Sequence, residues 1–251
     1  MKKNFWIVVD NIIRKADVIL EVLDARMPSI TRNTQLEQEI AKYGRQLIIV
    51  INKTDLIGKD AMQILKSEFS GTKHIFCSCK EFTGVGMLIG LIKRSMNKEI
   101  IKVAVIGYPN TGKSSIINIL SRGGRAKTSS ESGLTKGIQL INGKSGLLLF
   151  DTPGVVPFDS RDEIKLGLMS GISPSKLQNP ELVATELIDI FKKNNAKALK
   201  DKYEVDTEAD SYDILLEIGK NMKMLLKKGE IDERRAAVRL LMDWHEGKIK
   251  L

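Results

Sequence analysis

The sequence predicts an α/β fold, with a doubly wound, mostly parallel sheet followed by a small all-α domain. Short apolar runs such as Gln46 to Ile51 and Ile101 to Ile106 have the length of buried strands, and each ends at a polar or glycine-rich motif. From Pro180 onward, apolar residues recur at helical spacing instead. We therefore expect a sheet domain over residues 1–160 and a helical domain over residues 161–251.

The N-terminal segment predicts a helix rather than a signal peptide or a membrane span. Trp6, Val9, Ile13 and Ala16 fall on one helical face, and charged residues interrupt the apolar run. No stretch approaches the roughly 18 apolar residues that a membrane span needs. We therefore expect a cytoplasmic protein that has no membrane partner.

The glycine-rich turn after the strand at Ile101 to Ile106 predicts a phosphate-binding loop. Its sequence is Gly107-Tyr108-Pro109-Asn110-Thr111-Gly112-Lys113-Ser114-Ser115, and a helix is predicted to begin at Ser114. Backbone N–H groups of such a turn point toward bound phosphates, and the helix adds the positive end of its dipole. Lys113 would reach the β and γ phosphates of a nucleoside triphosphate, and the Ser114 hydroxyl would bind Mg²⁺.

A second motif, Asp151-Thr152-Pro153-Gly154, would complete the phosphate and metal site. It ends the apolar run Leu147 to Phe150, so its carboxylate would lie at the tip of a strand, where α/β sheets bind ligands. Asp151 would hold Mg²⁺ through water and the Gly154 N–H would sense the γ-phosphate, although a plain Pro-Gly turn fits the same residues. Thr135 is our candidate for a further Mg²⁺-binding hydroxyl, with Thr128 as its competitor.

Two further motifs predict recognition of guanine. Asn52-Lys53-Thr54-Asp55 follows the strand that begins at Gln46. Asp55 can accept hydrogen bonds from both the ring N–H and the exocyclic amine of guanine, a donor pair that adenine lacks. Asn52 would brace the loop, and the stem of Lys53 would lie along the base. Ser78-Cys79-Lys80, after the predicted strand Ile75 to Cys77, would offer a backbone N–H to the guanine carbonyl.

The order of these motifs indicates a circular permutation. An ordinary GTPase has its phosphate loop first and its base-reading motif last, whereas here Asn52 to Asp55 precedes Gly107 to Ser115. The strand Asp17 to Asp24 would then be the one that normally follows the Asp-x-x-Gly segment. Because neighbouring strands rather than chain order hold a parallel sheet, such a rearrangement is physically tolerated. The chain would leave the sheet just after Gly154, so the helical domain would hang from a segment that responds to the γ-phosphate.

These motifs closely resemble the YlqF/RbgA family of circularly permuted GTPases, and the resemblance covers nearly the whole chain. It includes Asp24-Ala25-Arg26-x-Pro28 and a closing segment from Arg235 to Lys248. The resemblance implies the P-loop NTPase fold, binding of GTP and GDP, and hydrolysis of GTP. It also implies a role in assembly of the large ribosomal subunit, with the subunit precursor and ribosomal RNA as partners of a protein that we expect to be monomeric. Bacterial members carry a histidine near the N-terminus, whereas this chain has only His74 and His245.

The expected hydrolysis is slow without a partner. Many signalling GTPases place a glutamine after the glycine of Asp-x-x-Gly to orient the attacking water, and this position is Val155. In related GTPases, an asparagine in the phosphate loop is associated with a bound K⁺, which assigns that role to Asn110. We therefore expect Lys113, Thr135 and Asn110 to carry catalysis, with Mg²⁺ as cofactor and K⁺ as a second candidate ion.

Charge leaves two interpretations open. Residues 1–160 carry the whole net charge of +9, and it is concentrated between Lys113 and Lys144. This excess either balances a bound triphosphate or forms a face for ribosomal RNA. Basic clusters in the helical domain equally suit a solvated surface. A GTPase switch for another RNA or protein partner, or a metabolic P-loop enzyme, therefore remains the alternative function.

The remaining features predict structural roles. Cys77 and Cys79 suit a reduced thiol pair better than a disulfide or a metal pair. Neither histidine has companions for a metal site. Beyond residue 160, the apolar spacing predicts helices over Pro180 to Asn194, Ser211 to Lys228 and Asp232 to Gly247, with Gly229 as a stop.

Overall fold

The structure, a computed structural model, describes residues 2–122, 140–150 and 162–251. These divide into two compact units. One lies within Met1–Asp55 and Met62–Phe158, and the other within Leu56–Ala61 and Asp159–Leu251. The predicted domain boundary after residue 160 falls outside the described residues and stays a prediction.

The first unit is built on a six-stranded sheet with the order β3-β2-β1-β4-β6-β5. The strands are β1 (Val18–Asp24), β2 (Gln46–Asn52), β3 (His74–Phe76), β4 (Ile101–Ile106), β5 (Leu140–Asn142) and β6 (Leu147–Phe150). All neighbours pair in parallel except β5 and β6. This confirms the predicted doubly wound, mostly parallel sheet.

The strand order also agrees with the predicted permutation. The first strand, β1, lies in the middle of the sheet, and β2 and β3 follow it on one side. The chain then returns to β4, which lies on the other side of β1, with Val18 opposite Val103. The strand that precedes the glycine-rich loop is therefore fourth along the chain and yet central in the sheet.

Helices cover both faces of the sheet. They are α1 (Lys2–Lys15), α2 (Pro28–Thr31), α3 (Thr34–Lys42), α4 (Lys59–Glu68), α5 (Val85–Ser95) and α6 (Lys113–Leu120). Successive strand residues point to opposite faces, and Leu20, Val105 and Leu149 share one buried cluster with Leu88 of α5 and Ile117 of α6. The intervening strand residues face α1 and α3, which contact β4 and β2 respectively.

The second unit contains four further helices, α7 (Glu163–Leu168), α8 (Pro180–Tyr203), α9 (Ser211–Asn221) and α10 (Glu233–His245). Trp244 is its central side chain: fully buried, it donates from Nε1 to the Leu168 carbonyl at 2.9 Å and meets the Phe191 ring edge-on. The Tyr203 hydroxyl donates to Asp243 at 2.9 Å in the same core. Among the described residues, no helix is long and apolar enough to cross a membrane.

Two of the predicted helix bounds in this unit were wrong. The helix predicted to end at Asn194 continues to Tyr203 through a non-helical residue at Asn195. The helix predicted to reach Lys228 ends at Asn221, because Lys223 takes a left-handed conformation and the chain turns back so that Leu225 bridges Ile231. Gly229, at φ 82°, belongs to that turn and does not stop a helix.

Glu21 makes the stability of the sheet unit depend on pH. Its side chain is buried in β1, where burial and the nearby Glu37 carboxylate raise its pKa from 4.5 to about 8, although the Asn33 N–H donates to it at 2.8 Å. A carboxyl group whose pKa is raised on folding stabilises the fold below its unfolded pKa. That contribution is lost as pH rises through the folded pKa.

We expect Glu21→Gln, which mimics the protonated acid, to weaken this pH dependence. In urea unfolding, the wild type should lose stability between about pH 5 and about pH 8, and the loss in the variant should be smaller by more than about 1 kcal/mol. Identical losses in the two proteins would show that Glu21 does not titrate in this range.

Candidate guanine-nucleotide site

The phosphate loop follows β4 and requires glycine at two places. Gly107 and Gly112 have φ values of 146° and 103°, a region that side chains disfavour. A Cβ atom on Gly107 would lie 2.5 Å from the Val22 carbonyl oxygen, and one on Gly112 would lie 2.0 Å from Asn52 Nδ2. The loop backbone therefore packs closely on β1 and on the Asn52 side chain, and only glycine leaves room for this.

Lys113 is held inside the loop. Its side chain is buried, and Nζ donates to the Tyr108 carbonyl oxygen at 2.6 Å. Burial lowers its pKa from 10.5 to about 8, because the charged form loses hydration there. A phosphate oxygen would give this ammonium group an anionic partner, and charge-assisted hydrogen bonds are the stronger kind. Ser114 and Ser115 are exposed in the first turn of α6.

Asn52 links the phosphate loop to the base-reading segments. Its Nδ2 donates to the Thr111 carbonyl oxygen at 2.9 Å, and its Oδ1 accepts from the Cys79 backbone N–H at 3.2 Å. The Ser78 hydroxyl donates to Asp55 Oδ1 at 2.6 Å. One buried amide therefore joins three motifs that are far apart in the sequence.

Lys53 is anchored by two residues to which the sequence assigned no role. Its Nζ donates to Asp24 Oδ2 at 2.7 Å, and its backbone is left-handed at φ 65°. Arg26 binds the same carboxylate through Nε at 3.0 Å and Nη2 at 2.8 Å. Burial opposes ionisation of Asp24, but the hydrogen bonds and charges of Arg26 and Lys53 outweigh it and hold the pKa at about 2.

This arrangement explains the Asp24-Ala25-Arg26-x-Pro28 motif in this chain. Asp24 is the last residue of β1 and pairs with Asn52 of the adjacent strand. An ionised carboxylate at this position fixes Lys53, which follows Asn52, at the carboxyl end of the sheet. The sequence feature that could have indicated this role is the Asp-x-Arg triplet at the end of an apolar run, at the same edge of the sheet as the other motifs.

We expect Asp24→Asn to weaken binding of guanine nucleotides by about tenfold or more, because the buried Arg26 and the half-buried Lys53 then lose the carboxylate charge that holds them. In a double-mutant cycle, the same change should cost much less in a Lys53→Met background. Asp17→Asn is the matched control, since Asp17 lies just before the same strand and pairs with Lys98 at 2.6 Å. Equal losses for Asp24→Asn and Asp17→Asn in a GDP titration would contradict the anchoring role.

Some of the remaining predicted site residues lie within the described part of the chain and others lie outside it. Lys80 is exposed, Cys79 is half-buried beyond the end of β3, and both cysteines are free thiols. Pro109, Asn110 and Thr111 lie in the phosphate loop, where Asn110 has a left-handed φ of 59°. Thr135, Asp151 and Gly154 lie outside the described residues, as do Thr128 and Val155, so their roles stay predictions.

The described part of the predicted metal site suits Mg²⁺. The Ser114 hydroxyl is exposed at the amino end of α6, beside the loop, and Mg²⁺ prefers oxygen ligands. The other two predicted ligands, Thr135 and Asp151, also offer oxygen. Within the described ranges, no cluster of three or more His, Cys, Asp or Glu residues could hold a metal by itself.

Comparison with known proteins identifies matching families. Residues 102–228 match the family described as 50S ribosome-binding GTPase, and residues 9–161 match the family described as RsgA GTPase. The chain is 39% identical to the uncharacterized GTP-binding protein MJ1464 of Methanocaldococcus jannaschii, over 96% of this chain and 65% of that protein. It is 34% identical to nucleolar GTP-binding protein 2 of Yarrowia lipolytica, over 98% of this chain and 50% of that protein.

Other relatives are also longer than this chain. Nuclear/nucleolar GTPase 2 of Arabidopsis thaliana is 31% identical over 98% of the chain and 44% of the relative. The chain thus spans between 44% and 65% of the length of these curated relatives. Among solved structures, GNP-bound YlqF from T. maritima aligns with a TM-score of 0.64 over 97% of this chain and 94% of that one. The two sequences are 21% identical, so this likeness establishes the fold alone.

Proposed function

The chain belongs to the family of 50S ribosome-binding GTPases, and from this premise we propose that it is a GTP-dependent switch in assembly of the large ribosomal subunit. The observation that carries the proposal is the pair of hydrogen bonds that the Asn52 side chain makes, one to Thr111 of the phosphate loop and one to Cys79 of the predicted base-reading segment. A site for phosphates alone would not need this connection. A site that reads base and phosphates together does.

Guanine selectivity would come from Asp55. Its carboxylate, which Ser78 orients at 2.6 Å, would accept both donors on the edge of guanine. Adenine would leave the carboxylate without those donors, which favours a guanine-specific switch over a metabolic P-loop enzyme. Lys113 would then lie against the β and γ phosphates and stabilise the charge that develops during hydrolysis of GTP to GDP and phosphate.

Mg²⁺ fits the proposal as the nucleotide's companion ion, held by Ser114 together with the predicted ligands Thr135 and Asp151. When bound, it supplies positive charge between the phosphate oxygens. Val155, as the residue after Gly154, can neither donate nor accept a hydrogen bond through its side chain, so hydrolysis by the protein alone would be slow. A partner would have to complete the site.

A further expected result concerns K⁺. Asn110 is an exposed residue of the phosphate loop with a left-handed backbone, and a cation beside it would stabilise negative charge on the transferred phosphoryl group. We expect replacement of K⁺ by Na⁺ to slow GTP hydrolysis by about tenfold, and Asn110→Ala to be insensitive to this exchange. Equal rates of the wild type in both salts would remove K⁺ from the proposal.

The ribosomal role is supported by the names of the family and of the nucleolar relatives, and by a net charge of +9, which suits an RNA partner. We propose that the protein acts as a monomer on precursors of the large subunit. Its compartment would then be that of ribosome assembly: the cytoplasm where no nucleus exists, and the nucleolus where one does.

Cosedimentation with purified large-subunit precursors tests this function. We expect more protein in the subunit fraction with a non-hydrolysable GTP analogue than with GDP, because γ-phosphate contacts order switch segments. Small ribosomal subunits serve as the specificity control. Absence from large-subunit fractions in every nucleotide state would refute the ribosomal assignment, and equal amounts in all states would refute the switch.

A further inference from the structure

A basic cavity lies at the end of the sheet opposite the nucleotide motifs. It has a volume of about 590 Å³, and the basic residues that line it are Arg14, Lys15, Arg45, Lys98 and Lys102, here called the strand-start cations. They lie just before or at the first residues of β1, β2 and β4, whereas the nucleotide motifs follow the carboxyl ends of the strands. At about 3.3 Å per residue, β4 separates the two regions by roughly 20 Å.

The cavity has more positive charge than its own acids neutralise. Among the residues that the structure describes, Asp17 is the only acid in its lining, and it already accepts from Lys98 Nζ at 2.6 Å and from the Lys102 backbone N–H at 2.9 Å. Arg14 is paired with Asp10 at 2.7 Å. Within the described part of the chain, the side-chain cations of Lys15, Arg45 and Lys102 have no ion-pair partner. Lys15 and Arg45 therefore face the cavity uncompensated, whereas Lys102 shares the single charge of Asp17 with Lys98.

Arg45 is poised to bind an anion. One of its terminal nitrogens donates to the Arg14 carbonyl oxygen, which fixes the guanidinium group. Its Nε is buried and finds no acceptor among the described residues. A buried N–H of a charged group that lacks an acceptor is unfavourable. A phosphate oxygen, whose geometry a guanidinium group matches well, would relieve this cost once the side chain moves enough to expose the N–H.

The surroundings favour a polynucleotide over a small anion. Ile100 and Leu140 also line the cavity and expose 59% and 44% of their surface. Exposed apolar side chains beside cations give the bases and sugars that accompany each phosphate a surface on which to bury apolar area. Several cations in one concavity also match successive phosphates of a backbone rather than a single ion.

We propose that the strand-start cations form a second binding surface, which holds the phosphate backbone of single-stranded RNA in the ribosomal particle. The proposal rests on the proposed ribosomal function and deepens it by naming an RNA contact within the sheet unit. The strand-start cations lie at the opposite ends of β1, β2 and β4 from Asn52 and the phosphate loop, so RNA contact with them would leave that loop accessible, although Phe150, which directly precedes Asp151, also lines the cavity. It also differs from the stretch Lys113 to Lys144, most of which lies outside the described residues.

The test compares two triple variants with equal loss of charge. The first removes Lys15, Arg45 and Lys102 by substitution to Ala, and the control removes Lys66, Lys93 and Arg94, which are exposed on α4 and α5. The probe is a short fluorescein-labelled single-stranded RNA of mixed sequence, titrated by anisotropy at several KCl concentrations. Affinity for GDP should equal that of the wild type in both variants, which verifies that they are folded.

For the first variant we expect binding at least tenfold weaker and a log–log salt slope lower by roughly 2, at about 0.7 per lost phosphate contact. The control should keep the wild-type slope. Should the first variant fail to bind GDP, the pair Lys15→Ala and Lys102→Ala, both exposed, should still lower the slope by roughly 1. Equal slopes in variant, control and wild type would overturn the proposal.

Two further measurements, a titration with poly-glutamate and the cosedimentation described above, show whether the RNA surface or the ribosomal function is at fault. If the first variant loses affinity for poly-glutamate but not for RNA, the cavity binds acidic polypeptides and the RNA assignment is wrong. If the wild type does not sediment with large subunits, yet its RNA affinity still depends on the strand-start cations, the ribosomal function fails while the RNA surface stands.

Discussion

Lys113→Ala should remove nucleotide binding almost entirely. Its Nζ is the cation held within the phosphate loop, and substitution removes charge-assisted hydrogen bonds to two phosphates, each worth about 1.5–3 kcal/mol. We expect the dissociation constants of GTP and GDP to rise by at least about a hundredfold, with hydrolysis falling below detection. Titration with a fluorescent GDP analogue measures the first effect directly.

The fold should survive this change. Burial depresses the pKa of Lys113 to about 8, so the charged lysine lowers the stability of the fold at neutral pH when no nucleotide is bound. The Ala variant should therefore unfold at the same temperature as the wild type or slightly above it. Lys102→Ala, at the other end of β4, is the matched control and should bind nucleotide normally. Nucleotide affinity that is retained in Lys113→Ala would show that this loop does not hold the phosphates.

Asp55→Asn should transfer preference from guanine to xanthine nucleotides. The asparagine keeps one acceptor for the ring N–H and replaces the other by an amide donor, which matches the carbonyl that xanthine carries in place of the guanine amine. GTP binding should weaken by at least about a hundredfold, because the hydrogen bond to the exocyclic amine is lost, an amide donor faces that amine, and the remaining hydrogen bond is no longer made to a charged carboxylate. The Ser78 hydroxyl can still donate to the remaining oxygen, so the loop should keep its shape.

Competition between GTP and XTP for the variant measures this exchange. Ser78→Ala provides a milder companion: it removes the 2.6 Å hydrogen bond that orients Asp55 and the 3.1 Å hydrogen bond that Ser78 Oγ accepts from the Glu81 N–H, and it leaves the acceptor pair of Asp55 intact. We expect it to weaken GTP binding without favouring XTP. If Asp55→Asn lowered affinity for both nucleotides equally, Asp55 would support the loop and would not read the base.

The strands and their motifs could be predicted because the signals are local. Gln46 to Ile51 and Ile101 to Ile106 are apolar runs of strand length, and the structure has strands at Gln46–Asn52 and Ile101–Ile106. Since parallel strands present their carboxyl ends at one edge, motifs after each strand were expected to converge. The hydrogen bonds of Asn52 to Thr111 and Cys79 show this convergence in atomic terms.

Features that depend on contacts between distant residues could not be predicted. Asp24 and Lys53 lie on neighbouring strands, and no pattern within either segment indicates that one anchors the other. The strand-start cations come from three separate segments, those that lead into β1, β2 and β4, and they converge only in the folded sheet. The end of α9 was missed for a different reason: the apolar residues Leu225 and Leu226 continue the helical spacing, but the left-handed backbone at Lys223 turns the chain away.

Isothermal titration of the wild-type protein with GTP, GDP and ATP in the presence of Mg²⁺ measures whether the site joined through Asn52 is specific for guanine. We expect GTP and GDP to bind and ATP to bind at least about a hundredfold more weakly, because adenine offers Asp55 no donor pair. Binding of ATP as tightly as GTP would contradict this expectation.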